Sequence, residues 1–337
     1  MADSDIRQRW QQWLFEGHRP TPWRFAAVAI AAITVPSAVT IAVFGSAALE
    51  SLGMAALLSA MPAYFAACHA GLAVSAVVTI VTGMAGILSL GNPAMSLLVG
   101  PTLAVLAAIC GHHGLARPAL QAMLAWTIFT SPLLQPSQPV LILAVYLAAM
   151  VWSLGVTKVF HHTFTTGIEK PQSKEYATIF GILLAFGMVL SMGIGNRYFG
   201  SHGYWFPLTL VVFALPPHAQ LLDRSVKRVI GTLVAVLLVI AISTLVEFPP
   251  FHAALAVLSQ ILAVRIMPVS YVGATLLLTI GILETVALST DIEIAAIAFE
   301  RLGTVAAAAL LAGILMGIGV LAFRVATPAV QRSRRQD

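Results

Sequence analysis

Apolar residues come along this chain in long, nearly unbroken runs, separated by short polar links. Such runs predict helices that are apolar around their whole circumference, not the one-faced stripes of soluble helices. They place twelve segments, at about 24–45, 50–69, 72–90, 95–112, 117–132, 138–160, 177–195, 205–216, 225–246, 250–265, 268–287 and 294–323. Several fall short of the ~20 residues a helix needs to cross a bilayer. The shortest, 205–216, is hemmed in by Pro207, Pro216 and Pro217. The fold class this implies is all-α: a polytopic membrane helical bundle with short, proline-broken helices.

The polar link 161–176, carrying Glu169, Lys170, Lys174 and Glu175, divides the chain into a first six-span block, 24–160, and a second, 177–323. The blocks share punctuation. A short second segment ends at Pro62 in one and at Pro216-Pro217 in the other. The third segment carries Thr82-Gly83 or Gly231-Thr232, the fourth starts near Pro93 or Pro249-Pro250, and Arg117-Pro118 or Arg265 with Pro268 precedes the fifth. Six spans per block give both the same orientation, so the expectation is two parallel repeats related by an axis along the membrane normal. Outside the blocks, 1–23 holds Ile6, Trp10, Trp13 and Leu14 on one helical face, with Arg7 and Arg9 elsewhere. That reads as an amphipathic helix on the cytoplasmic membrane surface. The tail 324–337 is basic.

Composition agrees with the pattern. The chain is 59% hydrophobic and only 9% charged, against about 25% charged for soluble domains. A net charge of +5 points to topology rather than to nucleic acid, because the basic residues are scattered over short loops and tails. With the N-terminus inside and twelve spans threaded, sixteen of the eighteen lysines and arginines fall inside or at the inner boundary. Arg197 falls in an outer loop and Arg301 within a span, while Glu50, Glu247, Asp291 and Glu293 fall outside. Both termini are thus expected in the cytoplasm, with the lipid bilayer as the main partner. The first apolar run, long and interrupted by Pro36, reads as an anchor and not a cleavable signal. Cys68 and Cys110 read as small buried hydrophobes with no disulfide framework.

The candidate chemistry concerns anions. Arg228, Gly231, Thr232, Ala235 and Val239 share one helical stripe, in which Gly231 and Ala235 let a second helix approach closely. Arg228 is either a cationic anchor for an anionic substrate, with Thr232 as hydrogen-bond partner, or a positive-inside residue reaching for headgroups; Arg224 and Lys227 fit the second description. The last helix repeats the pattern in Glu300-Arg301-Leu302-Gly303-Thr304. An arginine inside a span costs ~2.5–3.5 kcal/mol on insertion scales, so it calls for a partner. Glu284, on the preceding helix, is the candidate, either as a structural ion pair or as a proton-coupling carboxylate. The histidine pairs His112-His113 and His161-His162 lack metal-ligand spacing and read as interfacial; His218 and His69 occupy comparable places, and His218 could border a pathway. No metal, cofactor or catalytic motif is found, so neither an enzyme nor direct ATP use is expected.

Tyr204-Trp205-x-x-Leu208-Thr209, the proline at the next inner turn, Arg228-x-x-Gly231-Thr232 and the later Arg301-Leu302-Gly303-Thr304 resemble the fusaric-acid-resistance-like, or aromatic acid exporter, family over roughly 177–323. The resemblance implies a multi-pass transporter of the cell inner membrane exporting small organic, chiefly aromatic, carboxylate anions. Set beside the residue reading, the candidate substrate contacts are Trp205, Thr209, Arg228, Thr232, Arg301 and Thr304, with Glu284 for proton coupling and no cofactor. The plant malate channels are similar in their membrane part. That similarity makes a passive anion channel a second reading and is the sole basis for a homodimer. A non-transporting membrane scaffold is a third reading. Members of the family often carry a large cytoplasmic domain, whereas the central link and C-terminal tail here are short. In the first block no basic residue precedes Thr82-Gly83.

Overall fold

A computed structural model describes residues 13–15, 18–45, 48–132, 134, 138–160, 169–288 and 293–333, the side chains of Glu50 and of 326–333 excepted. Ile6, Arg7, Arg9, Trp10, His161, His162, Asp291 and the end of the basic tail, 334–337, lie outside these residues. Each of the twelve expected segments is a helix. They are α1 (Trp23–Phe44), α2 (Met54–Ala70, preceded by a π-helical turn at Leu49–Gly53), α3 (Leu72–Ser89), α4 (Pro93–His112), α5 (Ala116–Thr127), α6 (Pro139–Phe160), α7 (Lys174–Tyr198), α8 (Trp205–Ala214), α9 (Leu221–Leu245), α10 (Pro249–Ile266), α11 (Tyr271–Ala287) and α12 (Ile294–Ser333). Among the described residues, nine helical stretches are long and apolar enough to cross a membrane; α5, α8 and α11 are shorter.

Local chemistry explains several boundaries. Asn92, Ser173 and Ser270 cap α4, α7 and α11 by accepting from the backbone N–H three residues on, which satisfies a donor that has no partner within the helix. Pro93 and Pro249 open α4 and α10, where a missing N–H costs nothing. Gly71, at φ 88°, turns the chain between α2 and α3 in a conformation that side chains disfavour.

The chain divides into two compact units, Ala32–Leu222 with Ala307–Asp337, and Met1–Ala31 with Asp223–Ala306. In the first, the interior belongs to the short helices. Ten of the twelve residues of α5 and eight of the ten in α8 are buried. α5 packs on α2, α3, α4 and α8, and α4 packs along α7. Trp126, Met188, Phe206, Leu210 and Phe213 form the centre of this core. Around it, α3, α4, α6 and α7 turn apolar residues outward, among them Val77, Leu98, Val151 and Ile182. A core of apolar helices wrapped in helices that are also apolar outside is what lipid, rather than water, selects. Helices as short as α5 and α8 are tolerated among these apolar neighbours because protein encloses them.

In the second unit, α10 and α11 form an antiparallel hairpin. The N-terminal segment is pinned to it: the Thr21 N–H donates to the Arg265 carbonyl at 2.9 Å, and the Arg265 guanidinium lies 4.0 Å above the Trp23 ring.

Candidate functional site

The first unit holds a cavity of about 510 Å³ between α7, α8, the start of α9 and the distal part of α12. Leu183, Leu184, Leu210 and Leu315 form its apolar wall, and Tyr176, Phe180, His218 and Phe323 its aromatic one. Phe180 lies 4.6 Å from the His218 ring, and Tyr176 stacks on Phe180 at 6.3 Å. Polar groups in this wall are fixed: His218 Nε2 donates to the Ala214 carbonyl at 2.9 Å, which leaves Nδ1 to accept from the Tyr176 hydroxyl at 2.7 Å. Arg324 lines the cavity and is exposed. Apart from His218, these residues carry no local motif. They come from segments far apart in the chain, from Tyr176 to Arg324, so only the fold collects them.

Next to the end of α8, one guanidinium joins three segments. Arg117 Nη1 donates to His69 Nε2 at 2.8 Å, Nη2 donates to the Pro216 carbonyl at 2.9 Å, and Nε lies 2.9 Å from Glu169 Oε1. His69 Nδ1 donates to the Phe65 carbonyl, so Nε2 is free to accept from the arginine. Gln172 of the link also docks, its N–H on the Gly111 carbonyl and its carbonyl on His112 Nδ1. The sequence pattern singled out Arg117 as a repeat marker and as one of the inner-face basic residues. Its role in tying the ends of α2 and α8 to the link required the fold.

The other site residues fall in two groups. Trp205 and Thr209 are on α8 in the first unit. Trp205 is buried and stacks on His202 at 4.5 Å, making it a wedge of the core. Thr209 is fully buried and its hydroxyl has no hydrogen-bond partner. Arg228, Thr232, Glu284, Arg301 and Thr304 are in the second unit.

There the expected seam is observed. A Cβ built at Gly231 would lie 2.7 Å from the Val272 carbonyl oxygen, so α9 and α11 meet backbone to backbone, as the glycine allows. Arg228 is half-buried at this seam and donates to the Tyr271 hydroxyl at 3.4 Å, while its Nε is buried without a hydrogen-bond partner. Thr232 is buried with an unpartnered hydroxyl, whereas Thr304 donates to the Arg301 carbonyl at 2.9 Å and so commits its proton to its own helix. Arg301 is 2% exposed.

Two findings change the reading of the charges. Lys227 does not reach outward as a snorkelling lysine would. It is 6% exposed, 3.0 Å from Asp223 one turn earlier, with the Trp13 ring 5.5 Å away and the Trp13 indole donating to Asp223 at 2.7 Å. And Glu284, fully buried, shares a hydrogen bond with His252 of α10: Nδ1 lies 2.7 Å from Oε2. His252 drew no notice in the sequence because its partner lies 32 residues on. Cys68 and Cys110 are free and only half-buried. Among the described residues no cluster of His, Cys, Asp or Glu could hold a metal ion.

A multi-pass, all-helical membrane protein with charged side chains buried in its apolar helices is the class these observations define. Residues 182–316 match the family described as fusaric acid resistance protein-like, the family that the Tyr204–Ala235 and Arg301–Thr304 elements resemble. The match runs from within α7 into α12 and thus includes all of α8 to α11. No curated protein and no solved structure matches the chain.

Proposed function

We propose that this chain is a secondary transporter of the cell inner membrane that exports small organic, aromatic carboxylate anions. The observation that carries the reading is the cavity between α7, α8 and α12. Its volume, about 510 Å³, falls in the about 300–1,000 Å³ range of small-molecule sites. Its walls of Tyr176, Phe180 and Phe323 suit a flat apolar ring, and Arg324 supplies the one cation among its lining residues. Arg228 and Arg301, with Thr232 and Thr304, would be cationic stations in the second unit. Trp205 and Thr209 would belong to the α8 wall, and Glu284 would couple transport to protons. On this reading the blocks 24–160 and 177–323 are parallel repeats, and both termini are cytoplasmic. The family description supports resistance to an aromatic acid as the physiological setting.

The test uses proteoliposomes and labelled salicylate as the aromatic carboxylate. The reading expects saturable movement of salicylate, lowered at least roughly tenfold by Phe180→Ala or Arg324→Gln, because each removes a contact worth about a factor of ten. Absence of salicylate movement above empty liposomes would sink the transport reading for this class. Movement that survives both substitutions at full rate would move the binding site away from the cavity.

A further inference from the structure

The His252–Glu284 pair has hydrogen-bond constraints that fix its proton content. His252 Nε2 lies 2.8 Å from the Val246 carbonyl oxygen. A carbonyl only accepts, so Nε2 carries a hydrogen. The other ring nitrogen, Nδ1, lies 2.7 Å from Glu284 Oε2. Across that contact exactly one hydrogen is needed. It sits either on Nδ1, giving imidazolium and carboxylate, or on the carboxyl, giving neutral imidazole and neutral acid. Both forms are neutral overall, and both hold one proton more than a neutral imidazole facing a carboxylate. Without that proton, the ring has one hydrogen for two contacts, so a nitrogen lone pair would face either Glu284 Oε2 or the Val246 carbonyl oxygen at a hydrogen-bond distance.

Burial sharpens the constraint. Glu284 is fully buried, and its Oε1 has no hydrogen-bond partner. A carboxylate left so poorly satisfied in an apolar span is costly, so loss of the shared proton disfavours the observed arrangement from both sides. Few charges are at hand to offset it. On α10 and α11 the other ionisable side chains are Arg265 and Tyr271, at the opposite end of the hairpin. Glu247 adjoins Val246 on the link into α10, Glu293 precedes α12, and Glu300 and Arg301 lie in its second turn. On α9, Asp223, Arg224, Lys227 and Arg228 lie at the end remote from Val246.

We propose that His252 and Glu284 together form a one-proton binding site whose release of that proton breaks one of the two contacts that hold the His252 ring, to Glu284 of α11 or to the Val246 carbonyl. This inference rests on the transport reading for its purpose, namely coupling of cargo movement to a proton gradient, but not for its chemistry. His252 is the partner that makes Glu284 a proton carrier: the Val246 carbonyl fixes its tautomer, and the ring presents one nitrogen to the acid. In the unloaded state the neutral ring repels whichever oxygen its bare nitrogen faces, the carboxylate or the Val246 carbonyl, so the first turn of α10 or the last turn of α11 shifts, or a side chain rotates away. With the chain threaded N-terminus inside, this end of the hairpin faces outward, where an inward proton gradient would load it.

The test is infrared difference spectroscopy of the whole protein in nanodiscs through a pH titration, with ring-labelled histidine. The expected result is that one carboxyl C=O or carboxylate signal and one imidazole signal change together, with a single midpoint and one proton. Both changes should be absent in Glu284→Gln, and His252→Gln should leave the carboxyl signal with a different midpoint. Separate midpoints in the wild-type protein, or no coupled change at any accessible pH, would overturn the inference without recourse to a variant. A parallel flux measurement separates the two ideas. If salicylate moves, the factor by which a pH gradient stimulates it should fall roughly tenfold in His252→Gln, as for an ordinary coupling between two sites. If salicylate does not move at all, the transport reading fails while the spectroscopic result still decides the proton site.

Discussion

Lys227 illustrates how side chains settle their electrostatics here. A buried ammonium is tolerated when an opposite charge and hydrogen bonds replace its water. Asp223 supplies the charge, and Trp13 covers the pair while donating to the same carboxylate. Asp223→Ala is therefore expected to cost more than Lys227→Met. The first leaves a buried cation with its counter-charge gone, about 1–3 kcal/mol, while the second keeps the packing volume and loses less. Thermal unfolding in detergent would rank them, and the reverse order would contradict this account. Thr209 and Thr232 give the opposite case. Each buries a hydroxyl with no partner, so Thr→Val at either position should leave stability unchanged or raise it by up to about 1 kcal/mol. If export falls all the same in Thr232→Val, the hydroxyl serves a ligand and not the fold. Such residues were only half legible. The sequence flagged Lys227 as basic at an inner boundary and Glu284 as an anomalous acid, because composition and depth are local properties. It could not supply Trp13 or His252, since Trp13 lies 210 residues from Asp223 and His252 lies 32 residues from Glu284, and they meet only through the fold.

Among the helices, the shortest are the most enclosed. Pro207, Pro216 and Pro217 mark α8 as short, and its run of apolar residues leaves no polar face. Read from the sequence only as a short, proline-broken segment, it proves to be an interior helix, with eight of its ten residues buried. α5 was less legible. Its segment was extended to residue 132, whereas the α-helix stops at Thr127 and a 3-10 turn carries the chain to Thr130. The reason is Trp126, whose indole donates to Ser89 of α3 at 3.0 Å and whose ring fills the core, fixing the exit before the apolar run is spent. The α9–α11 seam, in contrast, follows from Gly231 and Ala235 directly. Gly231→Ala should destabilise by about 1–3 kcal/mol, because the added methyl meets the Val272 carbonyl, part of a backbone that cannot rotate away. Equal melting temperatures for Gly231→Ala and the parent would show that the helices separate at little cost.

For the molecule as a whole, the outward faces of α3, α4, α6 and α7 show an apolar belt whose only comfortable neighbour is lipid hydrocarbon. The all-helical membrane class was therefore plain from the apolar runs alone. The division into two compact units was not, because its boundaries fall within α1, beside the start of α9 and within α12, where no composition changes. The orientation can be checked in intact cells. Single cysteines at Lys170 and Glu247, in a background lacking Cys68 and Cys110, should react oppositely with an impermeant maleimide: Glu247→Cys from outside, Lys170→Cys only after the inner face is opened. Labelling of Lys170→Cys from outside would invert the topology and with it the side from which His252 and Glu284 are loaded.

The enclosure of α5 by α8 also has a consequence for biogenesis. α5 is complete before α8 exists, since 89 residues separate Ala116 from Trp205. At a synthesis rate of ~5–20 residues per second, α5 waits roughly 5–20 s for the helix that covers it. During that interval it is too short to span the bilayer alone and has one wall of its final housing missing. The nascent chain thus needs a sheltered waiting place at the insertion machinery, and a ribosome stalled before residue 205 would leave a half-built interior open to lipid and to quality-control proteases.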